Sequence, residues 1–404
     1  MAKVEETDAV SIREFFAGLE DPRSSINRRH LLGDIVVICI LGVIAGADGP
    51  KAIATWATAQ KEWLCRHLEL PHGIPSHDTI GRLLALLRPE AFQKCFQEWI
   101  ASLRHESAID ETEPEIVAID GKTMRRSHDR RRSLGPLHMV SAWAVRGGIS
   151  LGQLATAEKS NEIMAIPELL EQIDVRDTVV TIDAQGCQRA IARDIINSGG
   201  DYVLALKGNQ TKLFEGVKGY VKEILDSESH ESNVYRYQEV VKGHGRIDTL
   251  IYYQLPLSDA LAKFPWKALR TVGVAIRRSV QQGKETVDTR YYISSLKLNA
   301  KRFARAVRGH WHIENTLHWC LDVTFREDEC RVRNRHAADN LSWLKRFAIS
   351  LIKRHSHKES VAMKRRMAGW NVNFLAQVIG LTTTECASTL YAFPAPPPGG
   401  CRVG

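Results

Sequence analysis

Two short runs of strand-forming residues each lead into an aspartate. Residues 116–119 precede Asp120, and residues 178–182 precede Asp183. Apolar, partly β-branched runs favour buried strands, so each aspartate is expected near the end of one. A buried carboxylate is costly unless it is paired or binds a cation. Two of them suggest a metal site, although an ordinary strand-to-turn Asp-Gly at Asp120 is the simpler alternative.

A third candidate carboxylate lies in an amphipathic helix predicted to begin near Asn299. Glu314 is the single carboxylate on its apolar stripe, and a glutamate on a core-facing side either pairs with a buried arginine or binds a metal. Convergence with two aspartates favours the metal. The other members of the stripe are Phe303, Val307, Trp311, Leu317 and Leu321.

Three further acidic residues compete with Glu314 for this role. Asp322, Glu327 and Asp328 follow it closely in the chain and flank a Phe-Arg pair in a predicted turn. Exposure to solvent is the expectation for carboxylates in a turn.

Two aspartates and a glutamate form an all-oxygen ligand set, which suits hard cations such as Mg²⁺ or Mn²⁺. Two such ions roughly 4 Å apart can activate a water or a 3′-hydroxyl and stabilise the leaving 3′-oxygen. The predicted reaction is in-line phosphoryl transfer on DNA. It requires no serine or tyrosine nucleophile.

The order of predicted elements is that of an α/β protein with a ribonuclease-H-like core. In this order the first and fourth strands are parallel neighbours, so their carboxyl ends meet at one edge of the sheet. Asp120 and Asp183 are therefore expected to face each other. The predicted strands are 116–121, 137–145, 149–157, 178–183 and 201–206, with helices at 161–173 and 188–197.

Other segments surround this core, which is assigned to residues 109–208 and 296–356. Residues 1–108 are predicted to form a small all-helical domain for DNA-end recognition or dimer contact, in which one helix spans 78–103 with Ser76 or Asp78 as its cap. Residues 209–295 hold four predicted antiparallel strands, a β-rich insert that either follows a duplex or is purely structural. Residues 357–404 are expected to form a helical segment and a disordered Pro/Gly-rich tail.

The charge distribution favours a polyanionic partner. Lys and Arg outnumber Asp and Glu by 55 to 47. Two stretches, 122–133 and 353–366, each hold six Lys or Arg residues against one acidic residue, which favours nucleic acid over a solvated face when metal carboxylates lie nearby. The eight cysteines show no C-x-x-C pair, and the N-terminal sequence is too polar for a signal peptide, so a cytoplasmic protein is expected. The apolar stretch 31–47 is interpreted as a buried helix, not a membrane span.

The residues around these carboxylates resemble those of the H-repeat-associated transposases, which are bacterial insertion-sequence transposases of the DDE type. The resemblance rests on Asp-Gly-Lys-Thr-Met-Arg-Arg-Ser from Asp120, Asp-Ala-Gln-Gly-Cys-Gln from Asp183, Leu-Lys-Gly-Asn-Gln from Leu206, and His-Trp-His-Ile-Glu-Asn-Thr-Leu-His-Trp from His310. The stretch 73–81 is similar to the associated N-terminal helical domain of that family.

This resemblance covers residues 11 to 380 and implies both a fold and an activity. The fold is a ribonuclease-H-like core with a β-strand insert before the glutamate. The implied metal ligands are Asp120, Asp183 and Glu314, and the implied activity is Mg²⁺- or Mn²⁺-dependent cutting and joining of transposon ends. Double-stranded DNA is the implied partner, both as terminal inverted repeats and as target.

The sequence departs from a Y-x2-R-x3-E-x6-K signature that many relatives with a β insert carry around the glutamate. The corresponding residues are Val307, His310, Glu314 and Leu321. The missing basic residues hold DNA phosphates in those relatives, and an imidazole is a weaker phosphate ligand than a guanidinium.

Several polar residues are candidates for DNA contact, each with a structural alternative. The basic residues after Asp120 either contact phosphates or neutralise the acidic site, and those after the last core strand either approach DNA or form a turn. Trp311 and Trp319 either pack in the core or stack on an unpaired base. The DNA-binding candidates are Lys122, Arg125, Arg126, Lys207, Asn209, Arg308, His310 and His318.

The first hypothesis is therefore a DDE transposase that assembles as a homodimer on DNA and associates with the bacterial nucleoid. Two alternatives remain, a catalytically silent DNA-binding relic and a metal-dependent nuclease that does not join strands.

Overall fold

The centre of the fold is a nine-stranded mixed sheet. The structure is a computed structural model, and it describes residues 14–105, 113–129, 132–156, 161–226, 234–243 and 245–380. The predicted disordered tail lies outside these residues. The strands are β1 (Glu115–Met124), β2 (Leu137–Ala144), β3 (Ile149–Thr156), β4 (Thr178–Ile182), β5 (Asp201–Leu206), β6 (Tyr235–Gly243), β7 (Arg246–Pro256), β8 (Thr271–Gln281) and β9 (Lys284–Ser294).

The strand order is β3-β2-β1-β4-β5-β9-β8-β7-β6. The pairs β1–β4 and β4–β5 are parallel, whereas β1–β2 and β2–β3 are antiparallel. Strands β1 to β5 therefore have ribonuclease-H-like topology, as the element order predicted.

The insert continues the same sheet instead of forming a separate one. Strands β6 to β9 form the antiparallel meander expected from the sequence, and β9 pairs with β5 from Val203–Ser294 to Leu206–Tyr291. Gln282 and Gly283 join β8 to β9 with φ values of 50° and 75°. Two consecutive positive φ values fit a tight hairpin turn whose twist matches the strands.

Helices cover the sheet and form the N-terminal region. They are α1 (Leu32–Ile44), α2 (Pro50–Ala59), α3 (Lys61–Leu64), α4 (His77–Leu86), α5 (Pro89–His105), α6 (Glu162–Gln172), α7 (Arg189–Asn197), α8 (Thr211–Asp226), α9 (Asp259–Ala262), α10 (Ala300–His312), α11 (Arg335–Arg354), α12 (Val361–Trp370) and α13 (Val372–Val378).

The single helix expected over residues 78–103 is two helices, so that prediction was wrong. The first ends at Leu86, because Leu87 is extended at ψ 131°. Arg88 precedes Pro89, and the residue before a proline avoids helical backbone geometry. The predicted cap at Ser76 is confirmed, since its hydroxyl accepts a hydrogen bond from the Thr79 N–H at 3.2 Å.

The N-terminal helices share one hydrophobic core with the helices near the other end of the chain. Phe96 and Trp99 of α5 lie against Phe347 of α11, with ring centroids 4.3 and 4.4 Å apart. Asn340 of α11 donates to the backbone carbonyls of Leu84 and Leu87, at 2.9 and 3.1 Å, where α4 ends. The boundary predicted near residue 108 is thus crossed by a continuous core, and the domain limits stay predictions.

Helix α1 is buried on nearly all sides, in agreement with its interpretation as a core helix. No helix in the described part of the chain is long and apolar enough to span a membrane. Arg365 of α12 anchors the end of α1 by donating to the carbonyl of Val43 at 3.2 Å and to Asp48 at 2.9 Å. Two basic residues of the 353–366 cluster, Lys364 and Arg365, are therefore buried, where solvent exposure would be needed for a polyanion contact.

Helix α10 lies across the sheet and is fixed there by Phe303. The fully buried Phe303 ring meets Tyr252 of β7 and Tyr292 of β9 edge to face, with centroids 6.4 and 5.6 Å apart. Gly273 of β8 completes this contact, because a Cβ there would lie 2.3 Å from Cζ of the Phe303 ring. The insert thereby holds the helix that leads to Glu314.

We expect Gly273→Ala to lower the free energy of unfolding by about 1–3 kcal/mol, since the added methyl group overpacks the Phe303 contact. Urea denaturation followed by circular dichroism would measure the change. The matched control is Gly219→Ala in α8, where a Cβ would meet no heavy atom within 4 Å. That change should stabilise the helix by up to about 1 kcal/mol. Equal effects of the two substitutions would contradict the packing argument.

Candidate active site

Asp120 and Asp183 occupy adjacent positions on neighbouring parallel strands. Ile119 of β1 pairs with Ile182 of β4, so the aspartates are the next residue along each strand. Both side chains are partly buried. The convergence predicted from the element order is therefore present.

Backbone amides fix both aspartate side chains. The Gly121 N–H donates to Asp120 Oδ1 at 2.9 Å. The N–H groups of Gln185 and Gly186 donate to Asp183 Oδ1 at 2.9 and 3.2 Å, which ties Asp183 to the turn after β4. Each carboxylate is thus oriented through one oxygen, as preorganised ligands are.

Glu314 lies in a π-helical segment that interrupts regular α-helix. Helix α10 begins after Asn299, whose side chain accepts a hydrogen bond from the Arg302 N–H at 3.0 Å, and ends at His312. Residues Ile313–His318 then adopt π-helical geometry, which often occurs at functional sites. Glu314 is exposed, so the expectation that it faces the core was wrong.

Asp183 and Glu314 both act electrostatically on Asp120. Burial raises the pKa of Asp120 to about 7, although the hydrogen bond from the Gly121 N–H opposes the rise. Repulsion from Asp183 and Glu314, and from Glu162 next, raises the pKa of Asp120 further. Glu314 therefore belongs electrostatically to the same cluster as the two aspartates.

The nearest imidazoles do not offset this negative charge. His318 Nδ1 lies 3.6 Å from Asp120 Oδ2, but burial, reinforced by the cations Arg346 and Lys122, lowers the pKa of His318 to about 3. Burial likewise lowers the pKa of His310. Both rings are therefore neutral at pH 7.

This donor set fits a divalent cation. A hard cation would remove the mutual repulsion of Asp120, Asp183 and Glu314 and would lower the pKa of Asp120. Across the residues that the structure describes, no three His, Cys, Asp or Glu side chains are already gathered around one metal position. Glu314 is exposed, so packing does not confine its side chain to one rotamer.

The competing carboxylates are engaged in a different network, centred on Lys122. Lys122 Nζ lies 2.7 Å from Asp322, 3.4 Å from Glu327 and 3.1 Å from Asp328. Its side chain is only 7% exposed. Of the two roles predicted for Lys122, the structure therefore favours neutralising acidic side chains, but these are the competitors and not Asp120.

Glu327 is fully buried, so the expectation of exposure in a turn was wrong. Its Oε1 lies 2.7 Å from Nη1 of Arg346 and accepts a hydrogen bond from the Ser342 hydroxyl at 2.9 Å. Burial alone would raise the pKa of Glu327, but Arg346, Lys122 and Lys345 lower it to about 2. Glu327 is therefore an ionised carboxylate whose Oε1 is hydrogen-bonded and whose Oε2 lies 3.4 Å from Lys122 Nζ.

The remaining DNA-contact candidates fall into two groups. Arg125, Arg126 and Lys207 are exposed. Asn209 donates to the Ala184 carbonyl at 2.6 Å, which supports the turn alternative for its side chain. For these residues DNA contact stays a prediction.

Arg308 is held by the insert and not by the carboxylate cluster. Its Nη1 lies 2.6 Å from Glu239 of β6. The Cζ atom of Arg290 lies 4.1 Å from the centroid of the Trp311 ring. Trp319 is 52% exposed, so its ring is not packed in the core.

A buried pair behind Gly121 was missed at the sequence level. His138 Nε2 and Glu162 Oε1 are 2.5 Å apart, and the Thr123 hydroxyl lies 2.8 Å from His138 Nδ1. A Cβ at Gly121 would lie 2.2 Å from Glu162 and 2.4 Å from His138, so this pair requires glycine next to Asp120. The available signal was a histidine within an otherwise apolar strand.

Comparison with known families agrees with this geometry. The family described as "DDE_Tnp_1-associated" matches residues 13–100, and the family described as "Transposase DDE domain" matches residues 111–351. The chain belongs to the DDE transposase family. The resemblance expected from the sequence is confirmed.

Two relatives of this transposase match its sequence over most of its length. "H repeat-associated putative transposase YhhI" of Escherichia coli K12 is 38% identical over 377 residues, which cover 91% of this chain and 97% of that protein. "Putative transposase YncI" of Escherichia coli O157:H7 is 37% identical over 375 residues, covering 91% and 94%. A solved piggyBac transposase synaptic complex with hairpin DNA covers 93% of this chain and 81% of its own, with TM-score 0.41 and 11% identity.

We expect Asp120→Asn to stabilise the metal-free transposase at pH 8. The wild-type carboxyl has a folded pKa of about 7 against an ordinary aspartate value of 3.8, so it holds its proton more tightly when folded. Wild-type stability should therefore fall as pH rises from about 4 to 7, by up to about 4 kcal/mol.

Guanidinium unfolding at pH 5 and pH 8 in EDTA would measure this difference. The advantage of Asp120→Asn should be largest at pH 8 and should shrink toward pH 5. Asp226→Asn, at an exposed position, is the matched control and should show no such trend. A destabilised Asp120→Asn variant at pH 8 would contradict the charge-repulsion argument.

We expect Glu327→Gln to destabilise the protein by about 3–5 kcal/mol, because it leaves Lys122 and Arg346 facing a neutral amide in the interior. Glu314→Gln, at an exposed position, should change stability by less than about 0.5 kcal/mol. Thermal denaturation of both variants in EDTA would test the assignment. Similar losses for the two would show that the buried network does not distinguish these glutamates.

Proposed function

We propose that this transposase catalyses divalent-metal-dependent DNA cleavage and strand transfer at insertion-sequence ends. The observation that supports it best is the adjacency of Asp120 and Asp183 on parallel strands, with the charge of Glu314 acting on Asp120. In this proposal the three carboxylates hold Mg²⁺ or Mn²⁺, as two ions.

Bound ions of this kind would supply Lewis acidity on both sides of the scissile phosphate, for the attacking hydroxyl and the leaving 3′-oxygen. The protein orients the ligands. Backbone N–H groups hold Asp120 and Asp183 through their Oδ1 atoms. The neutral imidazole of His318, 3.6 Å from Asp120 Oδ2, adds no competing cation. A cation held there would lower the pKa of Asp120 and favour its ionised form.

Double-stranded DNA is the proposed partner, as terminal inverted repeats and as target. Exposed Arg125, Arg126 and Lys207 support it, because arginine and lysine side chains neutralise DNA phosphates. Assembly as a homodimer on DNA and residence in the bacterial cytoplasm, with nucleoid association when bound, complete the proposal.

The test is cleavage of a labelled duplex that contains the element's terminal repeat and flanking DNA. Wild type should cut at the repeat boundary in Mg²⁺ or Mn²⁺ and not in EDTA. Asp183→Asn and Glu314→Gln should each lose at least about 100-fold in rate, since metal charge stabilisation is worth several kcal/mol. Asp226→Asn, an exposed aspartate on α8, should retain wild-type activity.

Strand-transfer products on a supercoiled target should accompany cleavage. Cleavage without joining would identify a nuclease, and specific binding without cleavage would identify a silent DNA-binding relic. A fully active Asp183→Asn variant would show that the metal ligands lie elsewhere.

A further inference from the structure

We propose that two adjoining loops form an arginine surface that binds duplex DNA phosphates about five base pairs from the catalytic carboxylates. This inference rests on the proposed function, because the carboxylates define where the DNA is cut. The arginine surface consists of Arg125, Arg126, Arg132, Arg331 and Arg333, all exposed.

Polar contacts join the two loops that carry these arginines. Asp328 Oδ1 lies 3.1 Å from Lys122 Nζ and accepts from the Arg125 N–H at 3.4 Å, and Asp328 Oδ2 lies 3.2 Å from Arg125 Nε. Arg335 Nη2 donates to the Gly135 carbonyl at 2.6 Å. The loop after β1 is thus bonded at two places to the loop before α11.

A small apolar cluster lies under the same two loops. Cys330 of the second loop packs with Met124, at the end of β1, and Leu137, at the start of β2. Met139 and Ala338 complete the cluster. Since both loops are supported from below, their arginines project from a fixed base.

Arginine predominates on the solvent-facing side of these loops, where Glu329, 52% exposed, is paired with Arg326. Asp129 and Asp328 have side chains only 12% and 24% exposed, whereas those of Arg125 and Arg132 are 82% and 74% exposed. The acidic groups thus lie beneath the guanidinium groups. Lys122 is not part of the surface, because its amine is paired with three carboxylates inside the protein.

The position of the surface relative to the carboxylates follows from strand geometry. Arg125 comes five residues after Asp120 along β1 and its end. At about 3.3 Å per residue this is roughly 16 Å. B-DNA rises 3.4 Å per base pair, so on a duplex that runs along β1 the surface would meet phosphates about five base pairs from the scissile bond.

Duplex DNA fits this surface better than single-stranded DNA. Single-strand binding sites combine basic residues with aromatic rings on which bases stack. Residues 125–129, 132–136 and 328–336 contain no Phe, Tyr or Trp. A surface of exposed arginines without stacking rings is suited to phosphate contacts that do not depend on sequence.

The experiment compares salt-dependent binding by wild type and an Arg331→Gln/Arg333→Gln double variant. Full-length protein in Ca²⁺ would be titrated with a fluorescent duplex of about 40 base pairs centred on the cut, at several KCl concentrations. The slope of log K against log salt should fall by about 2 in the double variant, since each lost phosphate contact removes about 0.9. Both arginines are exposed, so folding should be unaffected.

The matched control is Lys218→Gln/Lys222→Gln, which removes two exposed charges from α8. Its slope should stay near that of wild type. On duplexes trimmed to about three base pairs on one side of the cut, the difference between wild type and the arginine variant should vanish for one side only.

An unchanged slope for the arginine variant, or an equal fall in the lysine control, would overturn the proposal. A difference that persists on both trimmed duplexes would overturn the stated position of the surface. Cleavage by wild type in Mg²⁺, measured in parallel, reports separately on the proposed function, because binding in Ca²⁺ does not require catalysis.

Discussion

Parallel pairing of β1 with β4, in register at Ile119 and Ile182, forces Asp120 and Asp183 into neighbouring positions. Burial and the neighbouring charge of Asp183 raise the pKa of Asp120, so ionising Asp120 costs free energy at this edge of the sheet. The surroundings are consistent with that cost being relieved by a cation. The adjacent His318 is neutral, and the hydrogen bonds to the aspartates come from backbone amides, which carry no net charge.

Two glutamates 13 positions apart, Glu314 and Glu327, lie in opposite electrostatic environments. Glu327 is fully buried, yet it stays ionised because Arg346 and Lys122 face it. Glu314 is exposed and raises the pKa of Asp120. A buried ion pair is a structural element, whereas an excess of negative charge beside solvent can accept a ligand. Partner charges, more than burial, therefore distinguish the two glutamates.

The sequence predicted the sheet and the aspartates well, because strand period and element order are local signals that determine which strand ends meet. Asp120 and Asp183 follow from these alone. The orientation of Glu314 did not follow, since a helical wheel assumes 3.6 residues per turn and the π-helical segment does not obey it. The burial of Glu327 could not be predicted either, because its partner Arg346 lies on the next helix, 19 residues away.

The N-terminal helices are completed by residues that lie about 250 positions or more later in the chain. Phe96 and Trp99 pack on Phe347, and Arg365 binds the end of α1, so this core stays open until those residues emerge. Contacts of such large sequence separation are slow to form. The nascent chain therefore holds its most apolar helix without its contacts to α11 and α12 until those helices emerge, and a demand for chaperones in that interval follows from the topology.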